Sequence, residues 1–450
     1  MSATPTSSKG LLVFKPKPDL PPPPNTTGAI GWLRFNLFDG VFSTIATVIS
    51  VIVLGYIALA FYDWAFANAV WEAANRQECR IGKEWGTCWA GVDFWFTRFI
   101  YGRYPDAQIW RVDLAAFIFV LWMVPLWLPR VTAKVMVGLS AVLVFPFLAG
   151  YMFLGGERNL FMAIMVTVSI TWFIGTMTHT AVCLLTGRGL GTWIIRLSGF
   201  ASRDDRTHKY PLIVTAVGAF AIVYVAIGNW QLELVGTSYW GGLFLTLVIS
   251  GIGIASALPT GILLALGRRS KMPVIRVLCV SFIELFRSVP LITILFMATT
   301  MFPLFLPEGL VFNKLASAIV AVCLFAAAYM AETVRGGLQA IPRGQYEAAE
   351  AMGLGYWQAM GLIIMPQALK MMIPNIVGSF IGLFKDTTLV SIIGLYDLLG
   401  MIKAVSQDPQ WIGLHHEPLF TAAVIFFIGC FAMSKYSQHL EFKLGAGERR

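Results

Sequence analysis

Residues Ile341–Pro366 read IPRGQYEAAEAMGLGYWQAMGLIIMP and separate two long apolar runs of the chain. Pro342 suits the start of a helix, because a first-turn residue needs no backbone N–H donor. The residues from Glu347 to Met352 are mostly strong helix formers, and Gly353 suits the left-handed position that ends many helices. A second short helix is expected from Tyr356 to Met365. The stretch therefore predicts a compact helix–turn–helix between two spans.

The apolar runs beside this stretch belong to a series that fills most of the chain. Of the 450 residues, 57% are hydrophobic and only 13% are charged, and the mean hydropathy is +0.71. Crossing ~30 Å of hydrocarbon takes about 20 apolar residues in a helix, which satisfies its own backbone there. We expect an all-α integral membrane protein in the lipid bilayer, with about ten transmembrane helices. Their predicted positions are 41–61, 112–128, 132–154, 161–185, 211–228, 242–266, 287–306, 315–335, 366–392 and 418–437.

The distribution of basic residues predicts the orientation. The net charge is +9, and most of the Lys and Arg residues fall in connections that alternate spans place on one side. Because basic connections face the cytoplasm, both termini and the quoted loop are expected inside. Basic residues scattered between apolar runs favour this role over nucleic-acid binding.

Composition divides the chain into predicted regions. These are a disordered Pro-rich cytoplasmic arm (1–40), an N-terminal transmembrane extension (41–228) with a periplasmic loop (62–111), and a second half (229–450) with a cytoplasmic loop (336–366).

The cysteines and the possible metal or nucleotide ligands predict at most one disulfide. Cys79 and Cys88 lie in the long outer loop, where an oxidising compartment would allow a disulfide, and two free thiols are the alternative. No spacing predicts a metal site. The sequence contains no Gly-x-x-x-x-Gly-Lys-Ser/Thr phosphate loop, so ATP and Mg are not expected to bind this chain.

The loop helix has residues suited to contact with another protein. Ala348 and Ala349 allow close approach, Glu347 offers a charge, and Tyr346 and Met352 offer apolar bulk. From composition alone, an ordinary interfacial helix is the alternative.

The spacing in this loop resembles the signature of ABC-transporter permeases of the importer type. That signature is Glu-Ala-Ala, three residues, Gly, nine residues, Ile, one residue and Leu-Pro. The chain has Glu347-Ala348-Ala349, Gly353, Ile363 and Met365-Pro366, with Met in place of Leu. By this resemblance, the loop couples the permease to an ATPase. The coupling residues are then Gln345, Tyr346, Glu347, Ala348, Ala349, Met352 and Gly353.

Three further segments, Glu284–Leu291, Tyr329–Gly337 and Phe384–Ser391, resemble polar amino-acid permeases. In the first, Ser288-Val289 replaces the usual Gly-Thr. The resemblance covers about 238–445 and implies a C-terminal five-helix importer-permease core. The N-terminal extension is similar to that of larger membrane subunits of general or acidic L-amino-acid transporters.

The resemblance implies a non-catalytic subunit of an ATP-driven amino-acid importer in the bacterial inner membrane. The implied partners are a second permease subunit, two copies of a cytoplasmic ATPase that binds ATP and Mg, and a periplasmic amino-acid-binding protein. The second permease is either a copy of this chain or a relative, and the N-terminal extension favours a heterodimer with a shorter relative. The alternative is an ion-coupled secondary carrier, which would need coupling acids in both halves of the chain.

Ionisable residues within spans predict a substrate pathway, because each is costly in lipid. An amino acid presents an ammonium and a carboxylate, so its path needs an acid and a cation. The candidate residues are Glu284, Arg287, Glu332, Asp386, Thr387 and Ser391. The alternatives are a Glu284–Arg287 ion pair, a Glu332–Arg335 pair and hydroxyls that bridge helices.

Overall fold

The chain is almost entirely helical in the computed structural model, which describes residues 28–80, 86–131, 134–157, 159–186, 209–227, 231–307 and 313–445. Within these ranges, strand-like pairing is limited to isolated bridges such as Gly102–Trp240 and Gly156–Leu232. The helices of the first half are α1 (Gly28–Leu37), α2 (Val41–Tyr62), α3 (Arg76–Arg80), α4 (Trp89–Tyr101), α5 (Ile109–Trp127), α6 (Lys134–Leu143), α7 (Phe145–Leu154), α8 (Leu160–Thr186) and α9 (Lys209–Ile227).

The second half continues the helical pattern. Its helices are α10 (Gly242–Arg268), α11 (Pro273–Ser288), α12 (Leu291–Phe296), α13 (Lys314–Ala340), α14 (Arg343–Ala351), α15 (Tyr356–Ala359), α16 (Met365–Asp386), α17 (Leu398–Val405) and α18 (His416–Gly445).

The predicted membrane spans are largely present. Among the described residues, eight helical segments are long and apolar enough to cross a membrane, and a bent pair raises the number to nine. The predicted span 211–228 corresponds to α9, which contributes a shorter apolar segment, Thr215–Ala226. The fold class is therefore the predicted all-α membrane protein.

The predicted span 287–306 differs from the structure. Its first residues belong to α11, which ends at Ser288, and the chain bends by 104° before α12 begins. Val289 and Pro290 between them have extended backbone angles. Proline disfavours helical geometry in the residue before it, so the apolar run contains a break that hydropathy does not reveal.

The N-terminal arm also differs in part from the predicted irregular segment. Gly28–Leu37 form helix α1. Residues 1–27 of the predicted disordered arm lie outside the described residues.

The chain forms two compact units. The first comprises Met1–Trp71 with Cys79–Thr87, and the second comprises Glu72–Glu78 with Cys88–Arg450. In the first unit, α2 has no buried residue, which suits a helix surrounded by lipid.

Within the second unit, close helix packing depends on glycine. A Cβ at Gly261 of α10 would lie 2.7 Å from Met330 of α13, and one at Gly337 of α13 would lie 2.8 Å from the carbonyl oxygen of Ala368 in α16. Small residues let membrane helices approach closely enough for backbone contact. The faces of α10, α13 and α16 are thus held together at short range.

Helix α4, from the predicted outer loop, packs against α10 and α17 of the same unit. A Cβ at Gly91 would lie 2.4 Å from Leu414, and one at Gly242 would lie 2.4 Å from the carbonyl oxygen of Phe99. Arg103 donates a 3.2 Å hydrogen bond to the carbonyl oxygen of Ser238. Part of the N-terminal extension is therefore built into the end of the core where α10 begins.

Candidate functional site

The predicted coupling loop is a short helix, a tight turn and a second helix. Pro342 precedes α14, and Gly353 follows it with φ +71°. This left-handed angle favours glycine, because other L residues are strained there. After α15 the chain passes through a π-helical turn, Met360–Ile364, directly into α16. The loop is therefore rigidly attached to a membrane span at its C-terminal end.

The loop presents one face outward and one towards its own chain. Ala349 is fully buried, whereas Gln345, Glu347 and Ala348 are exposed. Met352 is 79% exposed. These residues offer a small, mixed apolar and acidic surface to a partner.

Sequence reasoning missed an aromatic part of the same surface. Trp357 is 71% exposed, and Tyr356 beside it is exposed as well. Their rings contact each other edge-on at 5.3 Å. The sequence signal was an aromatic pair directly after Gly355, at the start of the second loop helix.

Tyr346 differs from its neighbours because its side chain contacts its own spans. Arg269, directly after α10, donates a 3.1 Å hydrogen bond to the Tyr346 hydroxyl. The hydroxyl donates a 3.2 Å bond to the carbonyl oxygen of Leu338 in α13. The half-buried ring also packs against the core of the unit.

An ion-pair cluster joins the ends of three helices near this loop. The Glu332 carboxylate of α13 lies 2.9 Å from Arg268 Nη1 of α10, 2.7 Å from Arg335 Nη2 and 3.8 Å from Arg287 Nη1 of α11. Arg268 also lies 3.0 Å from Glu284. Glu284 and Arg287 are thus each paired with residues of other helices.

The cluster brings together three of the predicted pathway residues, Glu284, Arg287 and Glu332. The predicted Glu332–Arg335 pair is present. Arg268, which links both carboxylates, was not singled out from the sequence, because a basic residue at the end of a span is indistinguishable there from an orientation signal.

A cavity of about 270 Å³ lies between α10, α13 and α16. Its lining includes Ala257, Tyr329, Ser379 and Asp386, and Asp386 is the one carboxylate among the lining residues. The Arg287 guanidinium carbon lies 5.7 Å from the centre of the Tyr329 ring. Tyr329 therefore connects the cavity with the ion-pair cluster.

Thr387 and Ser391 do not line this cavity. The buried Thr387 hydroxyl donates a 2.8 Å hydrogen bond to the carbonyl oxygen of Phe384. The Ser391 hydroxyl donates a 2.9 Å bond to the carbonyl oxygen of Thr388. Both hydroxyls thus donate to their own helical segment.

The two loop cysteines belong to different units. Cys79 lies in the first and Cys88 in the second, and both are buried. The disulfide between them stays a prediction. Within the described ranges, no cluster of three or more His, Cys, Asp or Glu residues is arranged to hold a metal ion.

Comparison with known proteins establishes the family. The model of the binding-protein-dependent transport system inner membrane component matches residues 257–445. The inner membrane amino-acid ABC transporter permease protein YhdY of Escherichia coli (strain K12) is 40% identical, over 98% of this chain and 99% of its own length. This chain belongs to the amino-acid ABC transporter permeases.

Other permeases of the family differ in length. BztC of Rhodobacter capsulatus, a glutamate/glutamine/aspartate/asparagine transport system permease protein, is 39% identical over 95% of this chain and 96% of its own length. The glutamate/aspartate import permease protein GltK of Escherichia coli O6:H1 is 34% identical, covering 42% of this chain and 84% of its own length. Some permeases of the family are thus much shorter than this chain.

A solved amino acid ABC transporter with histidines is also similar. It is 29% identical, with a TM-score of 0.41, and covers 45% of this chain and 92% of its own.

This permease is therefore a multi-pass, non-catalytic inner-membrane subunit of an ATP-driven amino-acid importer. ATP hydrolysis belongs to a separate ATPase, and a further permease subunit completes the translocation path. The relatives are ABC permeases, so the alternative of an ion-coupled carrier is not supported.

Proposed function

We propose that this permease forms a heterodimer with a shorter permease of the same family. Two copies of a cytoplasmic ATPase bind the cytoplasmic face of the heterodimer, and a periplasmic amino-acid-binding protein delivers substrate to its periplasmic face. The proposal rests on the single predicted coupling loop in the chain, since two permease halves and two ATPases require two such loops. Relatives of about half this length, such as GltK, support a shorter partner.

The loop at 336–366 is the proposed contact with the ATPase, which places both chain termini in the cytoplasm. Its exposed residues Gln345, Glu347, Ala348 and Met352 offer the contact surface, and Gly353 fixes the turn that follows. The positive-inside distribution of basic residues supports this orientation.

The proposed substrates are polar L-amino acids, including acidic ones and their amides. The naming of BztC as a glutamate/glutamine/aspartate/asparagine permease supports this class. The observation that carries the proposal is the cavity with Asp386 as its one carboxylate. At about 270 Å³ it is smaller than the ~300–1,000 Å³ clefts that hold drug-sized ligands, which favours a small solute.

In this proposal Asp386 accepts a hydrogen bond from the substrate ammonium. A negative charge in a membrane cavity favours a cation strongly, because little water competes for it. Glu284, Arg287 and Glu332 form the inner end of the path, where their ion pairs hold α10, α11 and α13 together.

Thr387 and Ser391 shape the outer part of the pathway by fixing the segment after Asp386. Their hydroxyls donate to the carbonyl oxygens of Phe384 and Thr388. In this proposal both residues act on the pathway indirectly, by fixing the backbone next to the Asp386 carboxylate.

The test is uptake by the complete complex in proteoliposomes with Asp386→Asn. Loss of a charge-assisted hydrogen bond costs ~1.5–3 kcal/mol, so uptake of glutamate and glutamine should fall about tenfold or more, with ATPase binding retained. Asp106→Asn is the matched control, because Asp106 is exposed and outside the cavity. Unchanged uptake of both amino acids by Asp386→Asn would contradict the proposed site.

A further inference from the structure

Tyr346 is the side chain of the coupling loop that is tied to two membrane helices at once. Its hydroxyl accepts from Arg269 at 3.1 Å and donates to the Leu338 carbonyl oxygen at 3.2 Å. Arg269 directly follows α10, and Leu338 lies in the last turn of α13. A single oxygen atom on α14 therefore bridges the ends of α10 and α13.

The hydrogen bond to Leu338 has a specific cause in the sequence. The carbonyl of Leu338 would accept from the N–H four residues later in a continuous helix. That residue is Pro342, which has no N–H. The Tyr346 hydroxyl supplies a donor to this carbonyl, so the loop helix completes the end of the membrane helix before it.

The bond from Arg269 is supported by two further effects. The guanidinium carbon lies 5.6 Å from the centre of the Tyr346 ring, within the range of a cation–π interaction. Arg269 is also the C-cap residue of α10, where the partial negative charge of the helix end favours a cation. Arg269 thus joins the end of α10 to the loop helix.

We propose that Arg269 and Tyr346 form the joint through which movement of the loop helix reaches the cavity. Tyr346 was expected from its sequence position to offer apolar bulk to the ATPase, but its side chain contacts its own spans. The helices that it bridges, α10 and α13, line the cavity with Ala257 and Tyr329. This inference rests on the proposed contact of loop 336–366 with the ATPase, and Tyr346 is a positioning residue within it.

The test compares Tyr346→Phe and Arg269→Gln in the complete reconstituted complex. Phenylalanine keeps the ring packing and removes both hydrogen bonds. The two readouts are retention of the ATPase through purification and the number of amino acids taken up per ATP hydrolysed. Since the second readout is a ratio, it does not depend on how much complex forms. Tyr436→Phe is the matched control, because Tyr436 is exposed on α18.

We expect both variants to retain the ATPase. Both variants lose the Arg269–Tyr346 hydrogen bond. One such bond is worth a factor of about three to ten, so uptake per ATP should fall by at least that factor in each. The double variant should fall no further than Tyr346→Phe, because that variant already removes the connection between Arg269 and the loop helix. Arg269→Lys, which keeps a cationic donor, should recover part of the ratio.

The joint is refuted by a wild-type ratio in Tyr346→Phe, by additive losses in the double variant, or by loss of the ATPase in Tyr346→Phe. The last result would place Tyr346 in the ATPase contact itself. Failure of the proposed function would look different, because Glu347→Lys and Gly353→Asp would then both keep the ATPase bound.

Discussion

Replacing Glu332 by Gln tests whether the ion-pair cluster stabilises the core helices at the end of the bundle that carries loop 336–366. The Glu332 side chain is only 15% exposed, and the Arg268 and Arg335 nitrogens lie 2.9 and 2.7 Å from its oxygens. Arg287 is more distant, at 3.8 Å. Glutamine keeps the size and one acceptor, so the change removes mainly the charge that three guanidiniums share.

The magnitude follows from these distances. Hydrogen bonds to charged groups contribute ~1.5–3 kcal/mol each, and partial exposure of the arginines reduces this to about 1 kcal/mol for each of the two close pairs. Repulsion between the arginines left without their anion adds about 1 kcal/mol. The total of ~3 kcal/mol corresponds to a Tm lower by about 6–12 °C, at the ~2–4 °C per kcal/mol typical of 150–250 residues.

The assay is the temperature at which the detergent-solubilised complex loses its monodisperse elution peak. Glu284→Gln is the matched control, because Glu284 lies 3.0 Å from Arg268 and its side chain is 54% exposed. An exposed pair contributes ~0–1 kcal/mol, so the control should lose little. Equal shifts in the two variants would refute the view that Glu332 is the centre of the cluster.

Three further predictions concern the loop, the helix packing and pH. Gly353→Asp should abolish ATPase retention while the protein still inserts, because φ +71° costs an L residue ~1–2 kcal/mol and deforms the turn. Gly337→Leu should overpack against the Ala368 carbonyl, which lowers the free energy of unfolding by ~1–3 kcal/mol and lowers the unfolding temperature. The control is Gly378→Leu, because an added Cβ there has no neighbour within 4 Å. Burial raises the pKa of Asp397, between two spans, to about 6; the stability this group contributes is therefore full below about pH 4 and is lost as pH rises through about 6. The Asp397 carboxylate accepts hydrogen bonds from the backbone N–H groups of Leu399 and Gly400 at the start of α17. Asp397→Asn keeps an oxygen acceptor there and should not show that loss, which unfolding midpoints at pH 4.5 and 7.5 would measure. Equal pH dependence in both proteins would contradict the prediction.

The membrane fold and the position of the coupling loop were accessible from the sequence. A long apolar run in lipid has few alternatives to a helix, because its backbone must satisfy its own hydrogen bonds. Pro342 and Gly353 set the ends of α14 through backbone geometry alone. Local signals of this kind act within a few residues, so a pattern in one stretch was sufficient to predict them.

The ion-pair cluster and the cavity were not accessible in the same way. Arg268 and Glu332 are 64 positions apart, and their contact depends on how α10 and α13 pack. The orientation of Tyr346 also needed the structure, because a tyrosine on a short helix can face either side. The bend at Pro290 had a local signal, but the apolar residues around it obscured the break.

The 104° bend between α11 and α12 has a consequence for the lipids around the protein. With α12 along the bilayer normal, α11 would lie almost in the plane of the membrane. Its exposed Val274, Val277 and Leu278 then rest among the upper acyl chains. The same helix carries Arg287, so lipids that change the tilt of α11 would also displace that cation, and we expect transport to vary with membrane composition.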